Sequence, residues 1–274
     1  TPSFPSNSIG MLDLNSIAIG VSPAYSMRVE HPTGQEYAKH LQSLAEFFEL
    51  PMMENTNIIS IEKDGEQFLL TTEDSTLVVW AGGEYQYPSQ GAFIGSDLCL
   101  HTSLVGTYGD LPGDNYLIIG GYESGIDAAY HLAKNGKMSK VFDANCPWGE
   151  ESSDPSVSLS TFSYERILDQ QFEDNVELFA ETKIYSVNEK DGVYEVTTEE
   201  GETYQTNQRP LLANGFSGGH KFVSHLFEER PDGFLSLTGQ DESTITPGMY
   251  LCGPSVRHDG HIFCFIFKYR QRFA

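Results

Sequence analysis

The segment Gly120-Gly121-Tyr122-Glu123-Ser124-Gly125 constrains the fold of this chain more than any other feature. It follows an apolar run that predicts a strand at 116–119, and it opens a helical pattern over 124–135. A tight glycine turn between a strand and a helix presents backbone N–H groups and the positive helix end to a diphosphate. Gly120 would form that turn, and Gly125 would let the helix pack closely on the strand. The segment therefore predicts a nucleotide-binding βαβ unit.

The motif is imperfect, so a plain glycine-rich turn stays open as the alternative. Tyr122 fills the position that is normally kept bare for the approach of a pyrophosphate. Asp143 follows the next predicted strand, 140–142, where a carboxylate can bind the hydroxyls of an adenosine ribose. A carboxylate there repels a 2′-phosphate, and no lysine or arginine lies between Lys140 and Arg166 to receive one. NADH is therefore favoured over NADPH, and a merely solvated aspartate is the alternative.

Composition excludes several classes of partner. The 274 residues include 16 basic and 39 acidic side chains, a net charge of −23, which repels nucleic acids and anionic membrane surfaces. Four cysteines show neither a CxxC pair nor zinc spacing, which favours a reducing cytoplasm and predicts no metal site. No apolar run reaches the roughly 18 residues that a membrane-spanning helix needs. We expect a cytoplasmic protein with a small-molecule substrate, and a homodimer is a possible assembly.

The remaining pattern predicts alternating helices and strands. A helix begins at the N-cap Thr33, with Glu36 three residues later, and ends before Pro51. Three β-like runs, 56–62, 67–72 and 76–80, suggest an antiparallel meander with turns at 64–65 and 73–75. Beyond the βαβ start, the pattern predicts a helix at 162–172, a strand at 176–179, and a hairpin of 184–188 with 193–198.

Five segments, in order along the chain, carry a family resemblance. They are Ala81-Gly82-Gly83-Glu84-Tyr85-Gln86-Tyr87-Pro88, Phe93-Ile94-Gly95 with His101-Thr102, the turn from Gly120 to Asp127, Ala213-Asn214-Gly215-Phe216, and Met249 to Gly253. They resemble the ATGxxxxP, FxGxxxHS, GxGxSGxD and ATGF-like motifs and a late flavin-domain strand. The set is similar to flavin-containing monooxygenases and their bacterial relatives in the thioredoxin-reductase-like class of FAD/NAD(P) enzymes.

The resemblance implies an α/β fold of the two-dinucleotide-binding-domain type, Rossmann-like with three-layer ββα/βαβ domains. An NAD(P)-binding domain at 109–208 would be inserted in an incomplete FAD-binding domain formed by 1–108 and 209–274. The family's first glycine motif would lie upstream of Thr1, so we interpret the chain as N-terminally truncated. Loss of FAD binding is the alternative.

The same resemblance implies the site residues. The nicotinamide nucleotide would contact the glycine turn 120–125 and Asp143. Residues implied at the FAD are Thr1, Ser3, Ala81, Gly82, Gly83, Ala213, Asn214, Gly215, Gly253 and Asp259. Asp259 could equally cap the next helix, and His101 is interpreted as tying down a loop. Cys99 and Cys146 are interpreted as bystanders, and no catalytic residue is assigned.

The function implied is a flavin-dependent NAD(P)H oxidoreductase of monooxygenase type. Hydride would pass from the nicotinamide to FAD and then to oxygen and a substrate. One alternative is a low-molecular-weight disulfide reductase of the same architecture, which needs a redox cysteine near the flavin. The other is a non-catalytic nucleotide-binding accessory module, for which Tyr122 is the main support.

Overall fold

The computed structural model describes residues 21, 23–28, 32–70, 74–75, 77–150, 158–258 and 261–262. These residues divide into two compact units, one at 87–217 and one formed by the chain before and after it. The helices are α1 (Pro23–Met27), α2 (Gly34–Phe47), α3 (Glu123–Lys134), α4 (Thr161–Ile167) and α5 (Gln170–Asn175). The strands are β1 (Ile61–Asp64), β2 (Gln67–Leu70), β3 (Asp74–Ser75), β4 (Val78–Trp80), β5 (Leu100–His101), β6 (Asn115–Ile119), β7 (Met138–Phe142), β8 (Val176–Phe179), β9 (Ile184–Lys190), β10 (Val193–Thr198), β11 (Thr203–Thr206), β12 (Leu211–Leu212), β13 (Met249–Leu251), β14 (Arg257–His258) and β15 (His261–Ile262).

Helix α2 begins where the sequence predicts it. The Glu36 N–H donates to the Thr33 hydroxyl at 3.3 Å, and the Thr33 N–H donates to the Glu36 carboxylate at 2.7 Å. These reciprocal bonds satisfy donors that a helix start leaves free. The hydrogen bonds from Thr33 also lower the pKa of the exposed Glu36 carboxyl. The predicted N-cap is therefore confirmed.

The discontinuous unit contains an antiparallel sheet of β1, β2 and β3 and a separate parallel pair of β4 with β13. The predicted meander is thus partly wrong. Its third strand is Asp74–Ser75, inside the predicted turn, whereas Val78–Trp80 pairs with Met249–Leu251. Pairing with β13 buries Val78 in the same core as Met249, a partner that local periodicity cannot identify.

The continuous unit is built on a five-stranded parallel sheet in the order β5-β12-β6-β7-β8. Ile118 and Val141 face α3, and their cluster includes the fully buried Ile126 and Leu132 of that helix. Residues of the opposite face, such as Phe142, pack against the antiparallel sheet of β9, β10 and β11. Helices, parallel sheet and antiparallel sheet form the three layers that the predicted fold class requires.

The unit comprises 87–217, because β5 and β12 pair in register beside β6 in the parallel sheet, and the predicted NAD(P)-binding domain at 109–208 lies inside it and stays a prediction. One helix differs from the sequence-based prediction. The helix predicted at 162–172 is two helices, α4 and α5. Asp169 separates them, since its carboxylate accepts the Gln171 N–H at 2.9 Å as the N-cap of α5.

Candidate nucleotide-binding site

The glycine turn between β6 and α3 has no room for side chains at its two ends. Gly120 has a φ of +101°, and a Cβ there would lie 2.5 Å from the carbonyl oxygen of Ala213. A Cβ on Gly125 would lie 1.9 Å from the Gly120 carbonyl oxygen. The Gly120 N–H donates to the Phe142 carbonyl oxygen at 2.8 Å, which fixes the turn against β7. Close packing of helix on strand therefore requires both glycines.

Asp143 fastens this turn from the end of β7. One carboxylate oxygen accepts the Gly121 N–H at 2.6 Å, and the other accepts the Asn145 N–H at 2.8 Å. A carboxylate oxygen can accept a second hydrogen bond, so both oxygens keep capacity for a ribose diol. Asp143 is half-buried at the carboxyl edge of the parallel sheet, as binding to an adenosine ribose needs.

The side chains of Tyr122 and Glu123 connect the start of α3 to the start of α4 and the residues just before it. The Tyr122 hydroxyl donates to the Ser158 carbonyl oxygen at 2.8 Å. The Glu123 carboxylate accepts the Ser160 N–H and the Ser163 hydroxyl, each at 2.5 Å. Ser124 occupies the same first turn of α3. Tyr122 and Glu123 therefore have structural partners, and the sequence motif gave no signal of them.

Asp127, the last residue of the motif, has a structural role. Burial raises the pKa of its carboxyl, but the hydrogen bond from His131 and the charge of Arg166 outweigh burial and lower it. Arg166 of α4 is 8% exposed and forms an ion pair with this carboxylate. The pair joins α3 to α4 beneath the turn.

A cavity of about 500 Å³ opens at the carboxyl edge of the parallel sheet. It brings together Gly120 after β6, Asp143 after β7 and Asn214 after β12. The chain runs from β6 toward β7 and β8 but returns on the other side as β12, so the cavity lies at a switch point of the topology. The walls also include Phe93 of the FxGxxxHS-like segment, and three residues that the sequence did not suggest, namely Tyr185, Lys183 and Glu199.

A larger cavity of about 660 Å³ lies at the opposite edge, where β6 and β7 begin at Asn115 and Met138. Ligands of open α/β sheets bind beyond the carboxyl ends of the strands. The smaller cavity is therefore the candidate nucleotide site.

Lys183 reaches this cavity through a turn that the sequence does not reveal. The Thr182 N–H donates to the Asp143 carbonyl oxygen at 2.7 Å, and the Glu181 N–H donates to the Asn145 carbonyl oxygen at 2.8 Å. These bonds hold the segment after β8 beside the segment after β7. A lysine 40 positions from Asp143 thus enters the same site.

The residues predicted at the FAD fall into two groups. Ala81, Gly82 and Gly83 follow β4, and Gly253 follows its parallel partner β13, all in the discontinuous unit. Gly83 and Gly253 adopt φ values of +66° and +123°, which favour glycine. The segment 213–215 belongs instead to the continuous unit, beside Gly120. Thr1, Ser3 and Asp259 lie outside the described residues.

His101 ties down a loop, as predicted. Its Nδ1 accepts the Ser103 N–H at 3.2 Å, which leaves Nε2 to donate to the Gly215 carbonyl oxygen at 2.9 Å. The ring is 5% exposed and packs edge-on against Phe216. These contacts connect the ends of β5 and β12.

The described cysteines, Cys99, Cys146 and Cys252, are free. Burial raises the pKa of the Cys99 thiol to about 12, although the charge of Arg209 opposes the shift. Burial also raises the pKa of Cys252, and the charge of Asp241 adds to it. Within the described ranges, no group of His, Cys, Asp or Glu could hold a metal ion.

Alkylation provides a direct test of these thiols. A thiol with a pKa of about 12 carries roughly a thousandth of the thiolate of an ordinary cysteine at neutral pH. We expect iodoacetamide to leave Cys99 unmodified in the native protein and to modify it after denaturation, as read by peptide mass mapping. Half-buried Cys146 is the internal control and should react first. Equal rates in the native protein would contradict the assignment.

A glycine turn and a carboxylate at the carboxyl edge of a parallel sheet define a dinucleotide-binding α/β protein. The family model described as pyridine nucleotide-disulphide oxidoreductase matches residues 1–253. The chain belongs to this family of flavoprotein oxidoreductases. Within the part of the chain that is described, no helix is long and apolar enough to cross a membrane.

Several solved structures share the fold. Bacillithiol disulfide reductase from Staphylococcus aureus has a TM-score of 0.75 at 16% identity, over 98% of this chain and 83% of its own. A flavin-containing monooxygenase from Stenotrophomonas maltophilia has a TM-score of 0.66 at 13% identity, over 89% and 75%. Thioredoxin reductase from Lactococcus lactis has a TM-score of 0.64 at 15% identity, over 90% and 80%.

One curated relative is an uncharacterized CzcO-like oxidoreductase from Geobacillus kaustophilus. It is 33% identical over 113 residues, which are 38% of this chain and 32% of that protein. The chain thus spans about a third of the length of this curated relative.

Family membership and shared fold confirm the predicted resemblance and the two-dinucleotide-binding flavoprotein fold. Proteins of this family use FAD and NAD(P)H, so the predicted pair of cofactors is confirmed at the level of the family. The preference for NADH, the roles of the individual site residues, the cytoplasmic location and the homodimer stay predictions.

Proposed function

We propose that this protein is a flavin-dependent NADH oxidoreductase of monooxygenase type, acting on oxygen and a small organic substrate. The observation that carries the proposal is the cavity that joins Gly120, Asp143 and Asn214 at one sheet edge. When bound, FAD accepts hydride from the nicotinamide and passes two electrons to an acceptor. The protein's own residues bind and orient the two nucleotides.

The cavity walls suit the adenosine end of a nicotinamide nucleotide. The oxygens of Asp143 accept one backbone N–H each and keep capacity to accept the two ribose hydroxyls. Ile94 and Tyr185, 60% and 56% exposed, offer apolar surface that a purine ring would cover. The positive end of α3 would favour a diphosphate bound beside the turn, since the Gly120 and Gly121 N–H groups already donate to the Phe142 carbonyl oxygen and to Asp143.

The charges in the cavity support NADH over NADPH. Asp143 and Glu199 carry two negative charges, and Lys183 carries one positive charge. Because Asp143 lies at the position of the ribose, its charge would oppose a 2′-phosphate. Lys183 offsets this repulsion in part, so NADPH should bind more weakly than NADH but should still bind.

The buried state of Cys99 and Cys252 argues against either of them as the redox thiol of a disulfide reductase, which favours oxygen as the electron acceptor. Disulfide exchange needs a thiolate, and burial disfavours the thiolate of both Cys99 and Cys252. The described cysteines also form no disulfide pair. A reaction through oxygen requires no protein thiol.

The test is turnover by the protein purified from its complete reading frame. We expect visible flavin absorbance, oxidation of NADH faster than of NADPH, and oxygen consumption equal to the NADH oxidised. Low-molecular-weight disulfides should not raise the rate of NADH oxidation.

Three results would contradict the proposal in different ways. Acceleration by a disulfide under anaerobic conditions would assign the protein as a disulfide reductase. NADH binding without flavin reduction would assign it as an accessory module. Absence of flavin after reconstitution with FAD would overturn the flavoenzyme assignment itself.

A further inference from the structure

The carboxyl ends of β4 and β13 lie side by side in the discontinuous unit. The Cys252 N–H donates to the Trp80 carbonyl oxygen at 2.9 Å, which continues the pairing of the two strands. The chain then passes through Gly253, with its φ of +123°, and reaches Arg257 at the start of β14. Ligands of α/β proteins bind beyond the carboxyl ends of parallel strands.

The guanidinium of Arg257, close in sequence to the end of β13, has a hydrogen-bond donor without an acceptor among the residues that the structure describes. Its Nη1 is buried and has no hydrogen-bond partner in the described ranges. The guanidinium carbon lies 5.0 Å from the centroid of the Phe234 ring, so one side of the group is covered by an aromatic residue. A buried charged donor without an acceptor is costly, which indicates that an acceptor belongs beside it.

Glu84, the neighbouring carboxylate, does not supply that acceptor. Burial raises the pKa of Glu84, while the positive charge of Arg257 opposes the shift. The two side chains interact at a distance, but they form no ion pair among the described residues. Two other cations of this unit already have partners, because Arg230 pairs with Asp232 and Lys63 donates to the Pro247 carbonyl oxygen at 3.1 Å.

We propose that Arg257 binds the diphosphate of FAD, with Nη1 donating to a phosphate oxygen; this inference rests on the proposed function. Arginine matches the charge and geometry of phosphate oxygens. In a chain with a net charge of −23, a bound dianion requires local positive charge. Arg257 is a binding residue that neither the glycine motifs nor the composition indicated.

The experiment compares FAD affinity in wild type and in Arg257→Gln, Arg257→Lys and Arg230→Gln variants. FAD is titrated into apoprotein by flavin fluorescence at low and high salt, and the flavin midpoint potential is measured at saturation. Arg257→Gln should weaken FAD binding about 10- to 100-fold and reduce its salt dependence. The FAD affinity of Arg257→Lys should lie between those of wild type and Arg257→Gln, while the FAD affinity of Arg230→Gln should equal that of wild type. The midpoint potential should stay unchanged.

Each contrary result has its own meaning. Unchanged FAD affinity in Arg257→Gln, with wild type binding FAD, would overturn only the role of Arg257. Unchanged affinity with a lowered midpoint potential would place Arg257 at the isoalloxazine ring and would also overturn the diphosphate assignment. A wild-type protein that binds no FAD would overturn both this inference and the proposed function. Thermal unfolding of the apoproteins shows whether a variant loses FAD affinity because it is less well folded. If Arg257→Gln is unfolded, Arg257→Lys still tests the role of the side chain, because it keeps the positive charge.

Discussion

Replacing Gly125 by alanine is expected to lower the free energy of unfolding of the continuous unit by about 3 kcal/mol. The added Cβ would lie 1.9 Å from the Gly120 carbonyl oxygen, which is backbone and cannot rotate away. Relief requires α3 to move off β6, which opens the core around Ile126. Because the glycine turn itself would shift, NADH binding should be lost together with stability.

The measurement isolates the affected unit. The chain has two tryptophans, Trp148 in the continuous unit and Trp80 in the discontinuous one. In a Trp80→Phe background, the fluorescence of Trp148 during urea unfolding reports the continuous unit, which matters because two units need not unfold as one. Gly106→Ala is the matched control, since a Cβ at Gly106 meets nothing within 4 Å. Equal urea midpoints for the two variants would show that the turn tolerates a side chain.

Replacing Asp143 by alanine is expected to weaken NADH binding about 100-fold. The substitution removes the proposed acceptor of the ribose hydroxyls and leaves the N–H groups of Gly121 and Asn145 without their carboxylate. Loss of these charge-assisted bonds also loosens the turn that would support the diphosphate. The dissociation constant for NADH, measured anaerobically in the reduced enzyme so that no hydride transfer follows binding, should rise while FAD affinity stays constant.

Cofactor preference gives the same residue a second test. Asp143→Asn removes the charge that opposes a 2′-phosphate, so the ratio of NADPH to NADH affinity should rise. Adding Lys183→Ala should abolish this gain, because Lys183 is the cation of the cavity wall that would attract the 2′-phosphate once the charge of Asp143 is gone. Asp191→Asn, at the exposed tip of the β9–β10 hairpin, is the control and should change neither affinity. A ratio that does not move in Asp143→Asn would place the ribose elsewhere.

The long periodic elements and the glycine turn could be predicted from sequence because their signals are local. Helix α2 starts at Thr33 since a hydroxyl and a carboxylate three residues apart satisfy the first N–H groups of a helix. Strand β6, Gly120 and helix α3 follow each other directly, so adjacent residues specify the turn.

Contacts between segments that are far apart in the sequence could not be predicted from local residue patterns. Val78–Trp80 and Met249–Leu251 both carry strand character, but their pairing across the whole intervening unit produced an error in the predicted meander. The place of Leu100–His101 and Leu211–Leu212 in the parallel sheet could not be predicted for the same reason, because each strand is only two residues long and its partners are remote in sequence.

The sequence by itself determined the βαβ unit, the acidic residue after its second strand and the order of motifs that marks the family. Tertiary structure alone decided that Lys183 enters the cavity of Asp143 and that Arg257 has a buried, unsatisfied Nη1. The physical reason is that backbone conformation follows from neighbouring residues. The partners and burial of a charged side chain depend instead on which remote segments fold against it.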